Sequence, residues 1–256
     1  MHLLDQLDRP VIFAHRGASA NAPENTLPAF ELAIKLGAKA IELDTMLCRD
    51  GLPVVIHDHT LERTTNGHGL VSDKSYSDLM RLDAGSWFSD TFRGEKIPSL
   101  QSILKRFSRN ILINIELKNY HTPHDNLTES VMHLVDELDL WDSVLFSSFL
   151  PRNLKLIRNQ KPDAKIALLC LSGIKGWIFR SSLYLNISPA IIHPSADDVD
   201  VKYIEREHQR DRRVHVWTVN DKLKAKDLFN SDVDGILTDE PASMLEVLRL
   251  KLPPIK

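Results

Sequence analysis

The chain has 256 residues, of which 43% are hydrophobic and 26% charged, with a net charge of −3. That length suits one large α/β barrel or at most two small domains, with a core large enough to need no staples. The slightly negative balance excludes the global basic field that would draw nucleic acid or an anionic membrane.

The opening MHLLDQLDRP lacks the basic start and continuous apolar run of a signal peptide. The most apolar region, Ile166 to Ile192, is interrupted by Lys175, Arg180 and Pro189, so no transmembrane segment is expected. Cys48 and Cys170 belong to no metal-type spacing, lie in apolar runs and read as buried free thiols. A cytoplasmic, reducing setting is the expectation.

In chain order, short β-branched runs alternate with helical patterns, which predicts a parallel α/β fold. Strands are predicted at Val11–His15, Ala40–Asp44, Pro53–His57, Ile111–Lys118, Val144–Phe149, Lys165–Cys170, Ala190–Ser195, Val214–Val219 and Gly235–Asp239. Helices are predicted at Glu24–Leu36, Leu100–Phe107, Leu127–Leu140, Pro151–Asn159, Val201–Gln209, Asp221–Phe229 and Pro241–Leu250, with Pro151 and Pro241 as first-turn prolines. Nine strands are one more than a (β/α)₈ barrel holds. The second and third are joined by Thr45–Leu52 without a helix, so one of the nine is a short extra or an irregular stave. Residues 58–97 break the rhythm with Thr, Ser, Asp and Gly, and with aromatics at Tyr76, Trp87, Phe88 and Phe92. They read as a small inserted subdomain within a single domain spanning 1–256.

Several ionisable residues fall at strand ends, where TIM barrels carry their chemistry. They are His15 and Arg16, Glu42 and Asp44, His57 and Asp58, and Glu116 and Lys118. Residues two apart share one face of a strand, so Glu42 with Asp44, and Glu116 with Lys118, project together. Three carboxylates without a thiolate make a hard oxygen site suited to Mg²⁺ or Ca²⁺. A cation also relieves the mutual repulsion of three neighbouring carboxylates. Two histidines offer a proton acceptor and a proton donor near neutral pH, while Arg16 and Lys118 offer positive charge to phosphate oxygens. Together these groups describe a site for breaking a phosphate ester. The plainer reading is a set of rim histidines and salt-bridged strand ends.

The stretch His15–Asp44, HRGASANAPENTLPAFELAIKLGAKAIELD, resembles the opening signature of the glycerophosphodiester phosphodiesterase family. Arg49–Gly69, RDGLPVVIHDHTLERTTNGHG, resembles its second signature. IPSL at Ile97–Leu100, IELK at Ile115–Lys118, VWTVN at Val216–Asn220 and DGILTDEP at Asp234–Pro241 are similar to its later blocks. The resemblance covers nearly the whole chain with no departure at these positions. It implies a TIM barrel with an insertion after the strand ending at His57. It implies one divalent metal ion, Mg²⁺ or Ca²⁺, on Glu42, Asp44 and Glu116. It assigns acid–base roles to His15 and His57, and phosphate contacts to Arg16 and Lys118. It places Trp217 on the wall of a pocket for a small-molecule glycerophosphodiester. The implied products are sn-glycerol 3-phosphate and an alcohol. The alternatives are a lysophospholipase D or related phospholipid phosphodiesterase, and, from another class, a non-catalytic phosphodiester-binding barrel. The oligomeric state is left open, a homodimer included.

Three further features have a structural expectation. Pro23-Glu24-Asn25-Thr26 reads as a loop closing onto a helix, with Glu24 or Asn25 at its positive end. His59, His68, His121 and His124 read as surface histidines. Gly173–Asn186 reads as a barrel helix, with an exposed apolar rim that contacts lipid as the alternative.

Overall fold

Within each strand alternate residues face opposite sides, and burial sorts them into two apolar layers. Val11, Phe13, Ala40, Leu112, Leu145, Ala167, Ile191 and Leu237 form one buried cluster. Their strand neighbours Ile12, Ala14, Ile41, Ile113, Phe146, Leu168, Ile192 and Ile236 belong to a second, larger cluster with helix residues such as Phe30, Ile103, Val131 and Phe229. The first cluster fills the inside of a barrel and the second lies between strands and helices. Each fully buried Phe or Leu in these layers contributes about 1.5–3 kcal/mol of transfer free energy.

The computed structural model describes residues 1–107, 110–173 and 190–251. Its strands are β1 (Val11–His15), β2 (Ala40–Leu47), β3 (Pro53–Val55), β4 (Leu112–Leu117), β5 (Val144–Ser148), β6 (Lys165–Cys170), β7 (Ile191–Pro194), β8 (Arg213–Val216) and β9 (Gly235–Thr238). Parallel pairings run β1–β2–β4–β5–β6–β7–β8–β9, and β9 pairs with β1, which closes an eight-stranded parallel TIM barrel. The ninth strand is β3. It pairs antiparallel with β2 through Thr45–Val55, Met46–Val54 and Leu47–Pro53. The physical reason is the connection: a turn at Arg49-Asp50-Gly51 can reverse the chain, whereas a parallel stave needs a crossover of a dozen residues or more. β3 is also shorter than expected, so His57 lies two residues beyond its end.

The helices are α1 (Leu3–Gln6), α2 (Leu27–Lys35), α3 (Tyr76–Leu79), α4 (Leu100–Phe107), α5 (Leu127–Glu137), α6 (Pro151–Gln160), α7 (Val201–His208), α8 (Lys222–Asn230) and α9 (Pro241–Lys251). Pro151 and Pro241 both open a helix, where a missing N–H costs nothing. Asp200 and Asp221 cap α7 and α8 by accepting the backbone N–H of Tyr203 and Lys224.

Residues 58–97 carry α3 and two short 3₁₀ turns. Leu61, Val71, Leu79, Ala84 and Ile97 form a small core of their own, which rests on Met46 and Cys48 of the β2 extension and on Val54 and Ile56. Cys48 and Cys170 are both buried. Among the described residues, no helix is long and apolar enough to cross a membrane. Residues 174–186, which hold nearly all of the segment read as a helix or lipid-facing rim, lie outside the described residues.

Candidate active site

The barrel mouth gathers the residues singled out from sequence. Glu42 and Asp44 point inward from β2, and Glu116 points inward from the neighbouring β4. All three are buried, and one ligand atom from each lies within 4.8 Å of the others. Burial first, then the charges of Asp44 and Glu116, push the Glu42 carboxyl well above its ordinary range. Asp44 moves the other way. Burial opposes its charge, but Lys118, Arg16, His57 and His15 hold it well below the usual carboxylate range. Lys118 Nζ lies 3.5 Å from Asp44 Oδ1 and 3.2 Å from Glu116 Oε1, and Arg16 Nε lies 3.2 Å from Asp44 Oδ2. The salt-bridged reading of these strand ends is therefore present in the structure, yet two cations do not satisfy the cluster. Asp44 Oδ1 is buried without a hydrogen-bond partner, and Glu42 is driven toward its neutral form. A buried all-oxygen donor set, with one oxygen met only by the Lys118 ammonium at 3.5 Å and by no hydrogen bond, fits a hard divalent cation.

Arg16 and Gly17 turn the chain out of β1 with φ values of +56° and +87°. A Cβ on Gly17 would lie 2.6 Å from the backbone carbon of Ala29 in α2, so glycine is required there. The turn aims the Arg16 backbone N–H at Glu42 Oε2, at 3.0 Å.

Each of the two histidines carries a carboxylate on Nδ1. His15 Nδ1 lies 2.7 Å from Asp239 Oδ1, and His57 Nδ1 lies 2.5 Å from Asp58 Oδ1. An Nδ1–H donated to a carboxylate fixes the tautomer and leaves the Nε2 lone pair available. Burial raises the Asp239 carboxyl, but hydrogen bonds from His15, Asn220 and Ser19 outweigh it and bring it down to about 2. The hydrogen bond from Arg63, more than that from His57, holds Asp58 low. His57 returns to the level of the carboxylates because β3 runs back toward the mouth, where the Ile56 N–H donates to the Asp44 carbonyl at 3.1 Å.

Asp239 was not singled out from sequence. A signal existed in the closure rule, since the last strand of a barrel pairs with the first. The carboxylate just beyond β9 therefore stands beside the histidine at the end of β1. Tyr120 was also missed. Its hydroxyl donates to Glu116 Oε1 at 2.8 Å and accepts the Phe149 N–H at 3.3 Å. Burial, then the Glu116 charge, raises the Tyr120 hydroxyl well above its ordinary value, so it remains a donor.

Glu24 and Asn25 depart from the capping expectation. Thr26 occupies the N-cap of α2 without a side-chain cap. Asn25, at φ +57°, turns away from the helix: its Nδ2 donates to Asp44 Oδ2 at 2.8 Å, and its Oδ1 accepts the Asp44 N–H at 3.2 Å. Glu24 accepts from Arg16 at 2.9 Å. The PENT loop thus braces the mouth rather than the helix end.

Trp217 follows β8, and its indole N–H donates to the His193 carbonyl at 2.7 Å. It packs on the inner apolar cluster and meets Phe149 edge to face at 5.7 Å, which places it between core and mouth. His59, His68, His121 and His124 stand outside the buried set. His59 stacks on His121 at 3.8 Å, and His124 pairs with Arg152.

A model of the glycerophosphoryl diester phosphodiesterase family matches residues 15–243. A glycerophosphodiester phosphodiesterase of Caldanaerobacter subterraneus is 34% identical over 243 residues, covering 94% of this chain and 98% of that protein. A putative glycerophosphodiester phosphodiesterase of Bacillus subtilis is 38% identical, covering 90% of this chain and 94% of its own length. Among solved structures, a phosphodiesterase of Oleispira antarctica in complex with the product sn-glycerol-3-phosphate superposes with a TM-score of 0.86. It is 30% identical and covers 94% of this chain and 97% of its own.

Proposed function

The chain belongs to the glycerophosphoryl diester phosphodiesterase family, and we propose that it hydrolyses glycerophosphodiesters such as glycerophosphocholine to sn-glycerol 3-phosphate and an alcohol. The observation that carries this reading is the composition of one mouth: three buried carboxylates, two cations and two carboxylate-anchored histidines. The product held by the Oleispira relative is consistent with it.

Glu42, Asp44 and Glu116 would hold one divalent ion, Mg²⁺ or Ca²⁺. That ion, when bound, supplies Lewis-acid stabilisation of phosphoryl charge. Arg16 and Lys118 bind phosphoryl oxygens and orient the diester. Nε2 of one histidine accepts the proton of the attacking hydroxyl or water, and Nε2 of the other protonates the departing alkoxide. Asp239 and Asp58 keep both rings in the required tautomer. Tyr120 and Asn25 hold Glu116 and Asp44 in place, and Trp217 with Phe149 walls the pocket for the glycerol unit.

The test is release of sn-glycerol 3-phosphate from glycerophosphocholine, run beside a lysophospholipid. His15→Ala and His57→Ala should each lower turnover by about 10²–10⁴ with the fold intact. Near-normal turnover in either variant would remove that histidine from the mechanism.

A further inference from the structure

Arg63 lies in the segment that follows β3 and has no part in the metal, phosphate or proton-transfer roles assigned to the mouth. Its guanidinium makes four hydrogen bonds to two carboxylates. Nε donates to Asp58 Oδ2 at 2.6 Å and Nη2 to Asp58 Oδ1 at 3.1 Å. Nη1 donates to Glu24 Oε2 at 2.7 Å and Nη2 to Glu24 Oε1 at 2.8 Å. The planar fork of arginine can serve two carboxylates from two edges, whereas the single ammonium of lysine cannot reproduce that geometry.

Both carboxylates are shared with site residues. Asp58 Oδ1, which accepts from Arg63, also lies against His57 Nδ1. Glu24 Oε1, which accepts from Arg63, also accepts from Arg16 Nη1. One unbroken run of polar contacts therefore leads from His57 through Asp58, Arg63 and Glu24 to Arg16, and from Arg16 to Asp44. Without Arg63 that run breaks into two halves.

The Arg63 side chain is 44% exposed, whereas Glu24 and Asp58 are 12% and 26% exposed, so the clasp joins two carboxylates of the mouth from its solvent side. The backbone that carries Arg63 is nonetheless firmly placed. Leu61, two residues earlier, is fully buried in the small core of the segment. The Thr65 hydroxyl and its N–H both donate to the Leu61 carbonyl, at 2.6 and 3.1 Å. The Leu61 N–H donates to the Gly69 carbonyl, which closes the turn. A rigid turn thus presents a partly exposed arginine to two carboxylates that each grip a site residue.

We propose that Arg63 is a positioning residue, which clasps Asp58 and Glu24 together and so fixes the ring of His57 relative to the guanidinium of Arg16. This rests on the phosphodiesterase reading above, in which those two side chains transfer a proton and bind phosphate. Residues 58–97 thereby gain a function, since Asp58 and Arg63 within them hold His57 and Glu24.

The experiment compares wild type with Arg63→Gln and Arg63→Lys by two readouts. The first needs no turnover. The short His57–Asp58 hydrogen bond should give a low-field Nδ1 proton resonance in water, assigned by its loss in His57→Gln. In both Arg63 variants it should move upfield or broaden, with circular dichroism unchanged. The second is kcat on glycerophosphocholine, expected to fall about 10–100-fold, the usual cost of removing a partner that orients a site ligand. In an Asp58→Asn/Glu24→Gln background the same Arg63→Gln change should cost less than about threefold, because its partners are already gone. An unchanged resonance with kcat within about twofold of wild type overturns the proposal. So does a full multiplicative loss in the double-variant background, which marks a merely structural role. A wild type without turnover, with the resonance still dependent on Arg63, leaves the clasp standing and removes the phosphodiesterase reading instead.

Discussion

His15 Nδ1 lies 2.7 Å from Asp239 Oδ1, a contact that joins residues 224 positions apart across the seam where the first and last barrel strands pair. Asp239 also collects hydrogen bonds from Ser19 and Asn220, so its orientation is fixed independently of the ring it holds. Asp239→Asn should therefore leave the fold intact while the amide disfavours the required histidine tautomer. The expected result is a fall in kcat of about 10-fold to 10⁴-fold, the upper end being the loss when a carboxylate-to-amide change puts a catalytic histidine in the wrong tautomer, with little change in KM. Steady-state kinetics on glycerophosphocholine checks it, and an unchanged kcat would show that the ring needs no such anchor.

The carboxylate cluster gives a prediction that needs no turnover. Burial and the neighbouring charges of Asp44 and Glu116 raise the Glu42 carboxyl, so an uncharged amide relieves crowding in the metal-free protein. Glu42→Gln should melt at or above wild type in EDTA. Wild type should gain about 5–10 °C at a metal concentration of about 100 Kd, and the variant should not. Differential scanning calorimetry with and without Mg²⁺ or Ca²⁺ checks both halves.

Beneath the mouth, His193 and His215 sit fully buried, 3.1 Å apart, with Phe13 packed on both rings. Burial lowers His193 to about 3. Burial, then the neighbouring His193 charge, lowers His215 well below 6.5. Above pH 6.5 both are neutral whether folded or unfolded, and neither weakens the fold. As pH falls from 6.5 toward 3 the unfolded chain binds protons that the folded chain refuses, so stability falls. His193 adds up to about 1.4 kcal/mol per pH unit in that window, and His215 acts in the same direction. Urea midpoints between about pH 4 and 7 should show this slope, and His193→Gln should flatten it. An equal slope in the variant would contradict the assignment.

Gly17→Ala tests the turn that carries Arg16. A positive φ and a Cβ 2.6 Å from the α2 backbone should together cost about 1–3 kcal/mol or more. The variant should also lower activity, because Arg16 is displaced from Glu42. Urea denaturation beside kinetics separates the two losses.

Much of the site could be read from sequence because its ionisable residues lie at strand ends. The two-residue spacing of Glu42 and Asp44 set their common face, and β4 brought Glu116 alongside in register with Asp44. The barrel could be read from the β/α alternation, but which of nine strands stood outside it could not. That answer lies in the antiparallel pairing of β3 with β2, which only the folded chain reveals. The partners of the histidines and carboxylates were the least visible. Asp239 meets His15 only when the barrel closes. Asn25 reaches Asp44 only because its backbone turns to positive φ. Arg63 links Glu24 to Asp58 only after residues 58–70 have folded on Leu61. Such pairings carry no local period, so spacing alone does not reveal them.

Metal-dependent cleavage of a glycerophosphodiester at this mouth is tested in one assay. Purified protein is given glycerophosphocholine, and release of sn-glycerol 3-phosphate is followed before and after EDTA, with Mg²⁺ or Ca²⁺ then restored. The expected result is release that EDTA abolishes and one of the two ions recovers, with no recovery in Glu42→Gln. Release that persists through exhaustive chelation, or folded protein that releases nothing with either ion, would refute metal-dependent cleavage at these residues.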